Sequence, residues 1–237
     1  MKIAVMQPYL FPYIGYFQLM RAVDKFVILD DVTYIKSGWI NRNRILANRK
    51  VLLFTVPIAA ASSNKLIQDL EIAEQRNWRD KLLKTIALAY KKAPCFEVVY
   101  PLIERIIRYP GRLLADYLVN SLTHLHRHLG LKTELVMCSR HYRNPSLRGQ
   151  ERILDICHRE NAHEYINAPG GTTLYSASDF AGAGITLRFL RPRAIQYRQF
   201  GDEFVAWLSI IDVLMFNPLE QVRDYLNEFE LSAGGVD

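Results

Sequence analysis

Short apolar runs and helical periodicities alternate along this chain of 237 residues. Ile3-Ala4-Val5-Met6 is uniformly apolar and runs into a loop with two prolines, which reads as a buried strand. From Ile14 to Val23 the apolar positions Phe17, Met20 and Val23 follow helical spacing. Phe26-Val27-Ile28-Leu29 is a second apolar strand, closed by Asp30-Asp31. Strand, loop, helix and strand in this order predict a βαβ unit. Its two strands should be parallel and buried, joined by a right-handed crossover. Val51 to Val56 predicts a third strand that Pro57 stops. The small, polar segment Ala59 to Lys65 predicts a loop, and Leu70-Glu71-Ile72 a short edge strand.

Three helices are expected next. Asn77 offers an N-cap for Trp78 to Lys92, which Pro94 ends. A second helix should start near Pro101 and carry Ile103, Ile106 and Ile107. In the third, Leu114, Leu118, Leu122, Leu125 and Leu129 recur every three or four residues, and Gly130 stands at the C-cap. The α/β rhythm then returns, with a strand at Glu134 to Cys138, a helix at Gln150 to Arg159 and a strand at Glu164 to Ile166. The turn Asn167-Ala168-Pro169-Gly170-Gly171 and a strand at Ile185 to Leu190 follow. Two terminal helices are expected, one near Trp207 to Phe216 and one from Pro218 to Phe229, then a loose tail at Ser232-Ala233-Gly234-Gly235. The pattern predicts one α/β domain over 1–237, a Rossmann-like parallel sheet core with a helical insertion over about 77–130.

Half of the residues are hydrophobic and 23% are charged, which is enough apolar surface for a substantial core. The net charge of +6 suits an anionic small-molecule substrate such as a nucleotide or a phosphosugar. No dense block of Lys and Arg reads as a nucleic-acid arm. The three cysteines, Cys95, Cys138 and Cys157, are far apart and read as reduced thiols. Met1-Lys2 leads directly into a strand rather than a signal peptide, and no apolar stretch reaches the ~20 residues of a membrane span, so a cytoplasmic protein is expected.

Polar and aromatic residues cluster in loops that should follow strands. Gln7, Tyr9, Tyr13, Gly15 and Tyr16 lie between the first strand and a helix N-terminus, where free N–H groups and the helix dipole favour an anion. Asp30, Asp31, Lys36, Trp39, Asn41, Arg42, Asn43 and Arg44 follow the second strand, and this mixture suits phosphate, Mg²⁺ or sugar hydroxyls. Asn167, Gly170 and Gly171 follow a later strand and could complete the same rim. Arg140, Arg143 and Arg148 would make a phosphate clamp. The competing structural readings are an aromatic loop over the core, a solvated hairpin, an ordinary turn and a solvated basic loop. His124, His126 and His128 on the third helix do not assemble a zinc set, and the Ser209 and Asp212 pair on an apolar helix has no histidine to complete a triad. No metal ligand set is expected.

These motifs resemble the WbqC-like family of bacterial proteins. The likeness rests on Gln7-Pro8-Tyr9 with Pro12-Tyr13-Ile14-Gly15-Tyr16-Phe17, and on Asp30-Asp31-Val32 with Lys36, Gly38, Trp39, Asn41, Arg42 and Asn43. It extends to Tyr165-Ile166-Asn167, Gly170-Gly171, Leu174-Tyr175, Tyr197 with Gln199, Leu208-Ser209-Ile210-Ile211-Asp212 and Phe216-Asn217. The resemblance implies a place in O-antigen or other surface-polysaccharide metabolism. The segment Tyr13-Ile14-Gly15-Tyr16 also looks like the His-Ile-Gly-His loop of a class of nucleotidyltransferases, with tyrosine in place of each histidine. That likeness implies a nucleotidyltransferase-like fold, while a tyrosine is neutral near pH 7 and cannot supply the histidines' charge.

The expected function is group transfer, of acyl or nucleotidyl type, on an activated anionic small molecule such as a nucleotide-linked sugar. Asp30 or Asp31 would act as base or metal ligand, with Tyr13 and Lys36 as further catalytic groups. Gln7, Tyr9, Gly15, Tyr16, Trp39, Asn41, Arg42, Asn43, Arg44, Asn167, Gly170 and Gly171 would bind substrate. The alternative is a non-catalytic module that binds or senses a nucleotide sugar.

Overall fold

The apolar runs Ile3 to Met6 and Phe26 to Leu29 form neighbouring strands of a six-stranded sheet, whereas the strand predicted at Val51 to Val56 lies in a separate hairpin. The computed structural model describes residues 1–74, 77–201 and 203–233. The strands are β1 (Lys2–Met6), β2 (Lys25–Ile28), β5 (Glu134–Val136), β6 (Glu164–Asn167), β7 (Thr186–Pro192) and β8 (Phe229–Ala233). Their order is β5-β2-β1-β6-β7-β8, parallel throughout except that β8 runs antiparallel to β7. Consecutive residues of a strand point to opposite faces, so a strand covered on both sides must be apolar along its length. β1 does this: Ala4 joins one core layer, while Ile3 and Val5 join the other. In β2, Phe26 and Ile28 face the first layer and Val27 the second.

Helices cover both faces. The larger layer holds α1 (Ile14–Ala22), α2 (Trp78–Tyr90), α3 (Phe96–Ile107), α4 (Leu114–Leu129), α7 (Ile210–Phe216) and α8 (Leu219–Tyr225). The smaller holds α5 (Gly149–Arg159) and α6 (Ala177–Gly182). The sheet is therefore of the Rossmann-like α/β kind, with the change of strand direction order falling between β1 and β6. Between β2 and β5 the chain also forms an antiparallel hairpin, β3 (Arg42–Ala47) with β4 (Lys50–Thr55). Among the described residues no helix is long and apolar enough to cross a membrane.

Several local expectations need correction. Asn77 precedes α2 with a left-handed backbone and makes no side-chain cap bond. Pro101 lies inside α3, which begins at Phe96; burial of Val99, Ile103, Ile106 and Ile107 carries the helix past the missing proline N–H. Leu70 to Ile72 forms isolated bridges, Ile58 with Ile72 and Glu71 with Leu113, rather than a strand. Trp207 lies outside α7, which starts at Ile210 with Ser209 as its cap. Pro218 caps α8, which ends at Tyr225. Phe229 to Ala233 is not a helix end and tail but strand β8, because its backbone completes the β7 edge. Gly234 and Gly235 lie outside the described residues.

One buried carboxylate joins distant segments. Asp212 is fully buried, and it accepts hydrogen bonds from Tyr90 Oη, Tyr197 Oη and Gln199 Nε2, each at 2.7 Å. Tyr90 Oη in turn accepts from the Leu46 N–H of β3 at 3.0 Å. Gln199 bonds both ways with Val205, which shapes the turn between them. All three donors are neutral, so hydrogen bonds alone hold the charge. Burial accordingly raises the Asp212 carboxyl above the ordinary carboxylate range and pushes both phenols far up.

Asp212→Ala should leave three buried donors without an acceptor and cost at least ~3 kcal/mol. A fall of roughly 6–12 °C in Tm is expected for a chain of this size. Because folding raises this carboxyl's pKa, its contribution to stability is full below the unfolded-state pKa and is lost as pH rises through the native value. Denaturant midpoints across the acid range should therefore show wild type losing ground to Asp212→Asn as pH rises; wild type gaining on the variant as pH rises would contradict the assignment.

Candidate active site at the carboxyl edge of the sheet

The β1–β6 ladder is short. Lys2 pairs with Glu164 and Ile3 with Tyr165, and the register ends there. β1 and β2 pair through four residues, and β6 and β7 through four. The pairing of these two central strands thus stops short of their carboxyl ends, at the switch point where sheets of this kind bind ligands. Gln7 follows β1, Asp30 follows β2 and Asn167 ends β6.

Asp30 and Asp31 leave β2 in opposite roles. Asp30 is 1% exposed. Its Oδ1 accepts from the Ser139 N–H at 2.9 Å and lies 3.1 Å from Ser139 Oγ, while Oδ2 stands 3.6 Å from the exposed guanidinium of Arg140. Burial raises the Asp30 carboxyl, against the lowering effect of these partners. Asp31 is held bidentately by Arg152 Nη2, at 2.7 and 2.6 Å, and both side chains are almost fully buried. Ser139 Oγ also bonds Asp31 Oδ1, so one hydroxyl proton serves two carboxylates. Arg152 Nε donates to Asn144 Oδ1 at 3.1 Å, which fixes the fork. Ser139 and Arg152, which the loop motifs missed, are the residues that hold the two carboxylates. The signal for Arg152 was a charge on the apolar stripe of α5, one turn before Ile156 and beside Ile153.

The asparagines and arginines after β2 are turned inward. Asn41 accepts from Tyr34 Oη and donates to Val56 O, both at 2.8 Å. Asn43 Nδ2 donates to Leu10 O at 3.0 Å and to Phe11 O at 2.8 Å, and its Oδ1 accepts from Arg44 N. Phe11 is buried with φ +42, a conformation costly for an aromatic residue, and Ser209 Oγ binds the same carbonyl at 2.7 Å. Arg42 Nε donates to Gly38 O at 3.0 Å, and its Nη2 bonds Ser37 O. Arg44 lies over the exposed Trp39 ring and donates to Trp207 O at 3.1 Å. These residues weld the first loop, the hairpin and the segment before α7 together.

Tyr16 is buried in the core, and its hydroxyl donates to Gln7 O at 2.9 Å. Tyr9 is half-buried against it, with ring centroids 5.7 Å apart. A Cβ on Gly15 would lie 2.1 Å from Tyr13 Oη, so this glycine makes room for the Tyr13 ring rather than for a ligand. Asn167 Oδ1 accepts from Ala168 N at 2.8 Å, and a Cβ on Gly171 would meet Asn167 Nδ2 at 2.4 Å; Gly171 therefore admits that side chain, whereas Gly170 borders open space. Gln7 is half-buried, and Lys36 and Arg140 are exposed at the loops that follow β2 and β5. The topology thus brings Gln7, Asp30 and Asn167 to adjacent strand ends, with Arg140 on Asp30. Asp31, Tyr16, Asn41, Arg42, Asn43 and Arg44 are committed to the scaffold. Among the described residues no three His, Cys, Asp or Glu side chains are grouped to hold a metal ion.

The model of the WbqC-like protein family matches residues 7–224. An uncharacterized protein, Rv1507c, of Mycobacterium tuberculosis is 27% identical over 231 residues, which is 95% of this chain and 97% of that protein. No solved structure matches the chain.

Removing the Asp31 carboxylate should strand a buried guanidinium. Asp31→Ala is expected to cost about 3–5 kcal/mol, whereas Asp31→Ala with Arg152→Leu should recover much of the loss. A double-mutant cycle from denaturant unfolding checks this, and additive losses would show that the two side chains do not depend on each other.

Proposed function

This chain belongs to the WbqC-like protein family, and we propose that it binds an activated anionic small molecule, a nucleotide-linked sugar, in the crevice between the carboxyl ends of β1 and β6. Transfer of an acyl or nucleotidyl group in bacterial surface-polysaccharide synthesis is the activity this reading assigns. The observation that carries it is the early end of the β1–β6 ladder, with Gln7, Asp30 and Asn167 at the ends of three adjacent strands. The family resemblance motivates the glycan part.

In this reading Arg140 and Lys36 meet the phosphates, since both are exposed cations on loops of the same edge. Gln7 and Asn167 hold neutral polar groups of the ligand. Asp30 rather than Asp31 is the base. Asp31 has both oxygens on Arg152, whereas Asp30 has Oδ2 toward an exposed group, Arg140, and a carboxyl already raised by burial. A phosphate that draws Arg140 away from Asp30 would free that oxygen to take a proton from the attacking hydroxyl or amine.

A second reading, a sensor without turnover, is favoured by the number of motif residues bonded to backbone carbonyls. Asn41, Asn43, Arg42 and Arg44 all spend side-chain donors there.

A nucleotide sugar at a hundred times its Kd should add ~2.7 kcal/mol of stability. In a thermal-shift panel of nucleotide sugars, sugar phosphates, acyl-CoA thioesters and free amino sugars, that appears as a rise of roughly 5–10 °C. Arg140→Ala should weaken the responding ligand by about 10- to 100-fold, the loss of a charge-assisted bond. Asp30→Asn should abolish turnover while binding persists. No response across the anionic compounds would overturn the site, and a response without turnover in wild type would select the sensor.

A further inference from the structure

Beside the crevice, on the same edge of the sheet, lies a cleft of about 270 Å³. Residues that follow β7 form one side, including Arg193, Gln196 and Tyr197. Tyr13, at the end of the loop that begins with Gln7, forms another, and Phe204 and Trp207 complete the walls. The rings of Tyr13 and Trp207 meet at 5.5 Å and 52°, and those of Tyr197 and Phe204 at 5.0 Å and 78°.

Trp207 is the unusual member. Its φ of +61 is unfavourable for a bulky side chain. The residue is 64% exposed, so burial does not offset that cost. The surrounding structure imposes the conformation instead. Arg44 Nη2 donates to Trp207 O at 3.1 Å, and two residues on Ser209 N donates to Arg44 O at 2.9 Å. Tyr197 is fixed from behind by its bond to Asp212. The Trp207 backbone and the Tyr197 hydroxyl are thus held by bonds that lie outside the cleft, and the indole is left largely exposed beside Tyr13.

The shape and charge of the cleft define what fits. Ligand sites for whole drug-sized molecules occupy roughly 300–1,000 Å³, so this cleft lies at the small end and suits a ring system, with the rest of a larger ligand outside it. Arg193 is countered by Glu228 at 3.7 Å and Glu230 at 3.2 Å, which leaves no surplus charge for a phosphate. What remains is flat aromatic surface with an amide at Gln196, the chemistry that stacks a neutral heteroaromatic ring and reads its edge. We propose that the cleft is a base-binding subsite, taking the nucleobase of a nucleotide-linked ligand by stacking against Trp207 and Tyr13. This rests on the nucleotide part of the proposed function and adds the place where the base is held.

Trp207→Gly separates ligand binding from folding. Glycine adopts a positive φ freely and keeps the carbonyl that Arg44 binds, so only the ring is lost. Isothermal titration of the full chain with uridine, thymidine, cytidine, adenosine and guanosine, and with the matching nucleoside diphosphates, reads the effect. At least one nucleoside should bind wild type, and Trp207→Gly should weaken it by roughly 5- to 150-fold, the loss of one stacked base. The variant's Tm should be equal to wild type or higher. Equal affinity in Trp207→Gly, or a clearly lower Tm, would overturn the proposal. Binding of sugar phosphates with no binding of any nucleoside would overturn the subsite alone, and binding of neither would overturn the proposed function with it.

Discussion

Asp212 is a charge without a counter-charge. Its carboxylate is buried among aromatic rings and held by two phenols and an amide, so each of those donors must arrive in register for the charge to be tolerated. The donors come from far apart: Tyr90 ends α2, Tyr197 follows β7, and Gln199 opens the turn toward Phe204. Through Tyr90 the same network reaches the backbone of β3. The hairpin, the α2–α3 pair and the C-terminal segment are therefore positioned against α7 by one group. The wall of the aromatic cleft and the anchoring of the first loop both descend from it, since α7 begins at Ser209, whose hydroxyl secures Phe11.

The polar residues around the crevice divide by what they bind. Those after β2 spend their donors on carbonyls of neighbouring loops, at Leu10, Phe11, Ser37, Gly38, Val56 and Trp207. A backbone without regular structure must have its carbonyls satisfied when buried, and side-chain amides and guanidinium groups are the means available here. A loop with many polar residues can thus be an internal frame. Gln7, Lys36 and Arg140, which are not so engaged, stand where the strands end and the ladder opens.

The sheet was legible because burial on both faces demands uninterrupted apolar runs, and Ile3 to Met6 and Phe26 to Leu29 supply them. The long leucine stripe of α4 and its Gly130 stop were legible for the same reason, a periodicity tied to one buried face. Strands of mixed composition were not. β3 reads Arg-Asn-Arg before its apolar residues, because its polar side chains serve the loop network. β8 carries Glu230 and Ser232 and borders the sheet on one side, so its pattern resembled a helix end followed by a tail. In the site, sequence gave the residue types and the rim they share, but not their direction. Whether Asp31 faces a ligand or Arg152 depends on a helix more than a hundred positions later in the chain, and no local pattern encodes that contact.

Tyr13 and Gly15 lie within three residues of each other, yet only one of them can have a side chain of any size. The phenol of Tyr13 fills the volume that a methyl on residue 15 would need, and its ring also forms one wall of the aromatic cleft. Sequence drift at these two positions is therefore coupled. A descendant that gained a side chain at position 15 would have to swing the ring at position 13 outward or lose it, and the cleft would change its dimensions in the same step. The pair acts as a molecular ruler, in which the space left empty at one position sets where the neighbouring ring stands.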